Sequence, residues 1–173
     1  MILCLFVFHY FLIGGSTNYL PSHTLTDEII HHTAYTLQYD EKYEQADWVA
    51  YKLTKEMVKK PAVKRTNKFR ADPLVKTGSA KPSDYAKSGY DKGHLCPAGD
   101  MAYSAGSMSE SFYMSNMSPQ MAGFNRGIWK RLEDKARAWA RDNDEIHIVT
   151  GPVLKRWTPY NRKRQGCSAK ILL

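Results

Sequence analysis

The chain has 173 residues, 43% of them hydrophobic and 24% charged, which is the balance of an ordinary soluble globular protein with one core, and no internal repeat, low-complexity tract or linker divides it. Its three cysteines are too few for a disulfide framework and lack the paired spacing of a zinc site. A formal net charge of +8 and a pI near 9.3 point to a polyanionic partner, either a phosphate backbone or an anionic membrane surface, and charge alone does not choose between them.

From the N-terminus, Met1 to Gly15 is nearly all apolar and the first charged side chain is Asp27. This stretch is shorter than the roughly 20 apolar residues needed to span a bilayer as a helix, but it fits the apolar region of a signal peptide. Residues 1–16 therefore read as a signal peptide and 17–173 as one domain, secreted or periplasmic, with no stable membrane association once the leader is cleaved. Removal of the leader leaves Cys96 and Cys167, and a bridge between them stays open.

Aromatic, aliphatic and Thr residues alternate from Thr33 to Tyr39 and from Trp48 to Thr54, around a charged connection, which predicts two antiparallel strands. Lys55 to Lys60 adds a short helical turn, stopped by Pro61. Lys64 to Lys87 is polar and marked as loop by Pro73, Gly78, Pro82 and Ser83. Ile128, Leu132, Ala136 and Trp139 recur at helical spacing, so a helix is expected from about Phe124 to Arg141. Asn125, Trp129 and Glu133 are then successive i, i+4 positions on one face. The β-branched run Ile146 to Thr150, closed by Gly151-Pro152, reads as a buried strand.

The chemistry concentrates in Tyr90-Asp91-Lys92-Gly93-His94-Leu95-Cys96-Pro97 and, some thirty residues on, in Asn125-Arg126-Gly127 with Glu133. Taken singly, each residue has a bland reading: a structural His, a helix-capping Asn, a solvated Glu. Together they supply a base, a hard-cation ligand and phosphate-binding charge, and that joint occurrence is the informative signal. His9, His23, His31, His32 and His147 have no comparable setting.

Asp91-Lys92-Gly93-His94, followed by Asn116-Met117-Ser118-Pro119-Gln120 and then Asn125-Arg126-Gly127 with Glu133, resembles the DNA/RNA non-specific endonuclease family. The likeness runs from about His32 to Leu154 and includes Trp48-Val49-Ala50-Tyr51, the segment from Arg65 through Phe69 to Asp72-Pro73, and Thr150-Gly151-Pro152. It implies an α+β fold with a mixed or antiparallel central sheet and a ββα-metal (His-Me finger) site. By that resemblance His94 is the general base, Asn125 the one protein ligand of a hydrated Mg²⁺ (or Mn²⁺), and Glu133 a carboxylate acting on the ion through water. A neutral imidazole accepts a proton near neutral pH, and Mg²⁺ favours oxygen ligands while keeping several waters. Asn116 matches a positioning amide in the catalytic set, Arg65 an arginine that contacts phosphate, with Arg70 the fallback, and Lys92 and Arg126 supply substrate-binding charge. Asp91 reads as a structural carboxylate.

Two departures stand out. Lys92 occupies the place where the commonest motif has Arg, which keeps the charge and loses bidentate phosphate recognition. After about Trp157 the likeness fades, and the final segment offers no strand pair, so the domain reads as C-terminally truncated. The leading expectation is a Mg²⁺-dependent endonuclease cutting DNA and RNA with little base selectivity, with homodimerisation left open. A catalytically impaired nucleic-acid-binding protein of the same fold, using Lys64, Arg65, Lys68, Arg70 and the Lys155 to Arg164 cluster with Trp157 and Tyr160, is the alternative. A metallohydrolase of small phosphoesters is disfavoured by the absence of an Asp/His cluster at ligand spacing.

Overall fold

The computed structural model describes residues 19–24, 27–59 and 61–154; the expected leader, Cys167 and the Lys155 to Arg164 cluster lie outside them. Strand β1 (Glu28–His31), strand β2 (Thr36–Asp40) and strand β3 (Gln45–Thr54) form an antiparallel meander, and strand β6 (Glu145–Thr150) joins it on the far side of β3, giving the order β1-β2-β3-β6. A second antiparallel pair joins strand β4 (Asp91–His94) to strand β5 (Met117–Gln120). The class is α+β with antiparallel sheets.

The β2–β3 turn is tight because the Asp40 carboxylate accepts from the backbone N–H groups of Lys42 and Tyr43, at 2.8 and 3.3 Å, and Glu44 adopts φ 50°. That early reversal lets β3 begin at Gln45, three residues before the sequence pattern predicts. Helix α1 (Lys55–Lys59) follows β3 directly, as the pattern predicts up to Lys59. Strand β1 was not foreseen, being only four residues long, and it is fixed by pairing with β2.

β3 is buried along most of its length, and Leu37, Val49, Tyr51 and Leu53 meet Leu95, Met101, Ala140 and Ile148 in the main core. Burying such side chains contributes about 1.5–3 kcal/mol each. A smaller cluster of Ala98, Ala102, Met108 and Phe112, with helix α2 (Ala105–Glu110), lies beside β4, and Phe69 packs against it. Residues 64–87 are irregular apart from a single parallel β-bridge of Arg70 to Tyr113 and a 3₁₀ turn at Pro82–Tyr85.

The expected helix is present with a different beginning. Phe124–Trp129 is a π-helical turn that runs into helix α3 (Lys130–Asp142). The wider turn shifts the register, so Trp129, Ala136 and Ala140 are buried while Ile128, expected on the core face, is 50% exposed. Such turns occur often at functional sites.

At β4 and β6 two glycines are required by close approach. A Cβ on Gly93 would lie 2.1 Å from the side chain of buried Gln120, and one on Gly151 would lie 2.2 Å from the backbone carbonyl oxygen of Asp47.

Candidate active site

Successive strand residues point to opposite faces, so β4 presents Asp91 and Gly93 on one side and Lys92 and His94 on the other. His94 is 6% exposed, and its ring meets Phe112 edge-on at 5.1 Å and Phe69 at 5.8 Å. Burial, and then the Arg65 cation, lower its pKa from the ordinary 6.5 to about 3, so the imidazole is neutral at physiological pH. Its Nε2 is buried with no hydrogen-bond partner among the described residues.

Two cations sit on the same aromatic pair. The Arg65 guanidinium lies 5.0 Å from the Phe112 ring centroid, and the Lys92 ammonium 5.0 Å from that of Phe69. Desolvation lowers the pKa of Arg65, and Asn67 Oδ1 accepts from its Nε at 2.7 Å. Arg70 is engaged elsewhere: it donates to the carbonyl and hydroxyl oxygens of Ser109 at 2.9 and 3.0 Å and lies over Tyr113 at 4.1 Å. The geometry thus favours Arg65 over Arg70 as the cation facing His94.

The π turn brings Asn125 and Arg126 to Asp91 at the start of β4. Asn125 Nδ2 donates to Asp91 Oδ2 at 2.9 Å, and Arg126 grips the same carboxylate through Nε and NH2 at 2.9 and 2.7 Å. Arg126, read as substrate-binding from the sequence, therefore directs two nitrogens at Asp91, while its side chain stays 74% exposed. Trp129, one turn on, donates its indole N–H to the His94 carbonyl at 3.1 Å. Two bonds, Asn125 to Asp91 and Trp129 to His94, align the helix start along β4.

Glu133 makes no hydrogen bond or ion pair among the described residues. It borders a largely apolar cleft with Tyr51, Leu95, Trp129 and Ile148, where burial and then the Asp100 carboxylate raise its pKa to about 7. Asp100, fully buried, accepts from Tyr51 Oη at 2.8 Å and from Arg137 NH1 at 2.6 Å. Sequence reasoning missed Arg137, although it lies four residues after Glu133 on the same helix and that spacing could have revealed it.

Asn116, placed in the catalytic set from the sequence, is completely buried: its Oδ1 accepts from Cys96 N at 2.8 Å and its Nδ2 donates to the carbonyls of Cys96 and Ser111, both at 2.9 Å. It fixes the turn after His94 and has no surface with which to meet substrate. Cys96 is buried, without a disulfide partner among the described residues, and burial raises its pKa; the expected alternative of a bridge to Cys167 lies outside them.

An open hard-cation site fits these donors. With its nitrogen held by Asp91, Asn125 has an unengaged amide oxygen among the described residues, and Glu133 offers a carboxylate from the same helix. A bound cation would draw the Glu133 proton off. No group of three or more His, Cys, Asp or Glu gathers as a metal cage among the described residues.

A family model described as DNA/RNA non-specific endonuclease matches residues 15–168. The mitochondrial nuclease EXOG of Danio rerio is 38% identical over 125 residues, covering 72% of this chain and 36% of that protein. Nuclease C1 of Cunninghamella echinulata var. echinulata is 35% identical over 130 residues, covering 73% of this chain and 52% of its own length. A crystal structure of the EndoG/EndoGI complex, concerned with the mechanism of EndoG inhibition, matches with a TM-score of 0.70 at 34% identity, over 79% of this chain and 58% of that one. The chain thus spans between about a third and three-fifths of the length of these relatives.

One expectation is corrected. Export to a secreted or periplasmic location is contradicted by relatives such as EXOG that are named mitochondrial. The physical reason for the error is that a short apolar stretch reports hydrophobicity and does not identify the machinery that reads it.

Proposed function

The chain belongs to the DNA/RNA non-specific endonuclease family, and from that premise we propose that it is a metal-dependent nuclease that hydrolyses phosphodiester bonds of DNA and RNA. One observation carries the reading: a neutral, buried His94 with an unpaired Nε2 is bound through its backbone to the helix whose first turn holds a free amide oxygen on Asn125.

The chemistry follows from these groups. His94 accepts the proton of the attacking water, for which its unpaired nitrogen and neutral state suit it. Arrival of a phosphate anion beside Arg65 offsets the cation that helps depress the imidazole's basicity, so substrate binding itself strengthens the base. Arg65 and Lys92, on the aromatic pair beneath the base, hold the scissile phosphate by charge. Asn125 would hold Mg²⁺, or Mn²⁺, through its amide oxygen, with Glu133 acting on the ion through water. When bound, the ion supplies charge stabilisation for the phosphoryl oxygens and the leaving 3′-oxygen. Asn116 keeps the turn after His94 in place. Contacts of this kind address the backbone and carry no sequence information directly, which accounts for low base selectivity. The relatives' names point to the mitochondrion as the compartment.

The test is digestion of supercoiled plasmid and of RNA by the chain as given, with and without Mg²⁺. Nicking of both that depends on the metal and is lost in His94→Ala supports the reading. Salt-sensitive DNA binding with no cleavage in Mg²⁺ or Mn²⁺ would overturn it in favour of a nucleic-acid-binding protein of this fold.

A further inference from the structure

The terminal amide of an Asn has two orientations, related by a half-turn, that fill nearly the same space and differ only in exchanging a donor for an acceptor. A cation tolerates just one of them, with the oxygen inward. In this chain the choice is made by Asp91, whose carboxylate can accept from the Asn125 nitrogen at 2.9 Å and would repel the Asn125 oxygen in the flipped state. Asp91 is in turn immobilised by the fork of Arg126, at 2.9 and 2.7 Å, so three donors meet one carboxylate and Asp91 is committed to protein partners.

The arrangement depends on consecutive residues, Asn125 and Arg126, reaching a single carboxylate. On a regular α-helix neighbouring side chains diverge by about 100°. Here both start from the wider π turn Phe124–Trp129, and the long Arg stem closes the remaining gap. Asp91 faces away from His94 on β4, so it is separate from the base.

We propose that Asp91, braced by Arg126, is a positioning residue that locks the Asn125 amide with its oxygen toward the cation and thereby sets divalent-metal affinity. This rests on Asn125 being the metal ligand, as argued above. Outer partners of metal ligands typically change affinity about 10- to 100-fold.

The experiment is Mn²⁺ binding to the full chain, followed by electron paramagnetic resonance without nucleic acid, together with thermal unfolding of each variant. Asp91→Ala weakens Mn²⁺ binding about 10- to 100-fold and raises the Mg²⁺ concentration for half-maximal nicking, while the rate at saturating Mg²⁺ changes less. Arg126→Gln, at an exposed position, gives a smaller loss of about threefold and serves if Asp91→Ala fails to fold. On an Asn125→Asp background, where the ligand has two equivalent oxygens and no wrong orientation, removing Asp91 leaves Mn²⁺ affinity unchanged or improved. Wild-type affinity in folded Asp91→Ala, or in folded Arg126→Gln where Asp91→Ala does not fold, would overturn the proposal. So would an equal loss on the Asn125→Asp background. A folded wild-type chain that neither binds Mn²⁺ nor cleaves would sink the nuclease reading as well, whereas wild-type cleavage with Asp91-independent metal binding would sink this inference alone.

Discussion

The indole N–H of Trp129 donates to the backbone carbonyl of His94 at 3.1 Å, joining the helix that bears Asn125 to the strand that bears His94. Both residues are buried, so this bond has no water to replace it. Trp129→Phe removes the donor while keeping an aromatic ring, and leaves a buried carbonyl unsatisfied. The variant is expected to lose about 1–3 kcal/mol of stability, measured by urea unfolding, and to nick plasmid more slowly than wild type even under conditions where it is fully folded.

Removing the proposed base or the proposed metal ligand tests the chemistry directly. His94→Ala and Asn125→Ala should each lower the nicking rate by about a hundredfold or more, with circular dichroism unchanged. Exhaustive chelation should abolish wild-type nicking and added Mg²⁺ restore it. Activity that survives chelation excludes the proposed metal chemistry.

Stability should fall in acid because of His94. The folded imidazole binds a proton only near pH 3, owing to burial and then Arg65, whereas the unfolded one does so near 6.5. A depressed histidine of this kind is stabilising above pH 6.5, and its contribution is lost as the pH drops from there toward 3. Between about pH 7.5 and about pH 5, wild type should lose about 2 kcal/mol more than His94→Asn in urea unfolding. Parallel losses in the two proteins would show that the imidazole is not held neutral.

Arg65 and Arg70 should separate cleanly. Arg65→Ala is expected to reduce cleavage and weaken DNA binding with a smaller salt dependence, because it removes a phosphate contact. Arg70→Ala should instead lower stability by about 1–3 kcal/mol, since Arg70 holds Ser109 and stacks on Tyr113. The reverse pattern in melting and nicking assays would exchange their roles.

Much of the candidate site could be read from the sequence because His94, Asn125 and Glu133 suggest their chemistry by residue type and order, and the helix holding two of them has strong periodicity. Tertiary contacts decided the rest. The motif suggests a positioning amide at Asn116, but which groups it holds, the backbone of Cys96 and the carbonyl of Ser111, is visible only in the fold. The π turn left no mark on the apolar pattern beyond an exposed Ile128. Asp91 was legible as structural, but its three donors were not, since one is an amide and two belong to a cation expected to face substrate. Strand β1 is too short to announce itself without its partner β2.

The Thr150 hydroxyl donates to the carbonyl of Leu95 at 2.9 Å, and Gly151 lets the chain pass close to Asp47. Leu95, the residue after His94, is thus pinned by the end of β6, more than fifty positions downstream. During vectorial synthesis, the candidate site residues from Arg65 to Glu133 emerge ahead of the strand that pins Leu95. A chain halted before β6 accordingly holds His94, Asn125 and Glu133 without the contact that pins Leu95, and the proposed site is complete only once β6 has paired with β3.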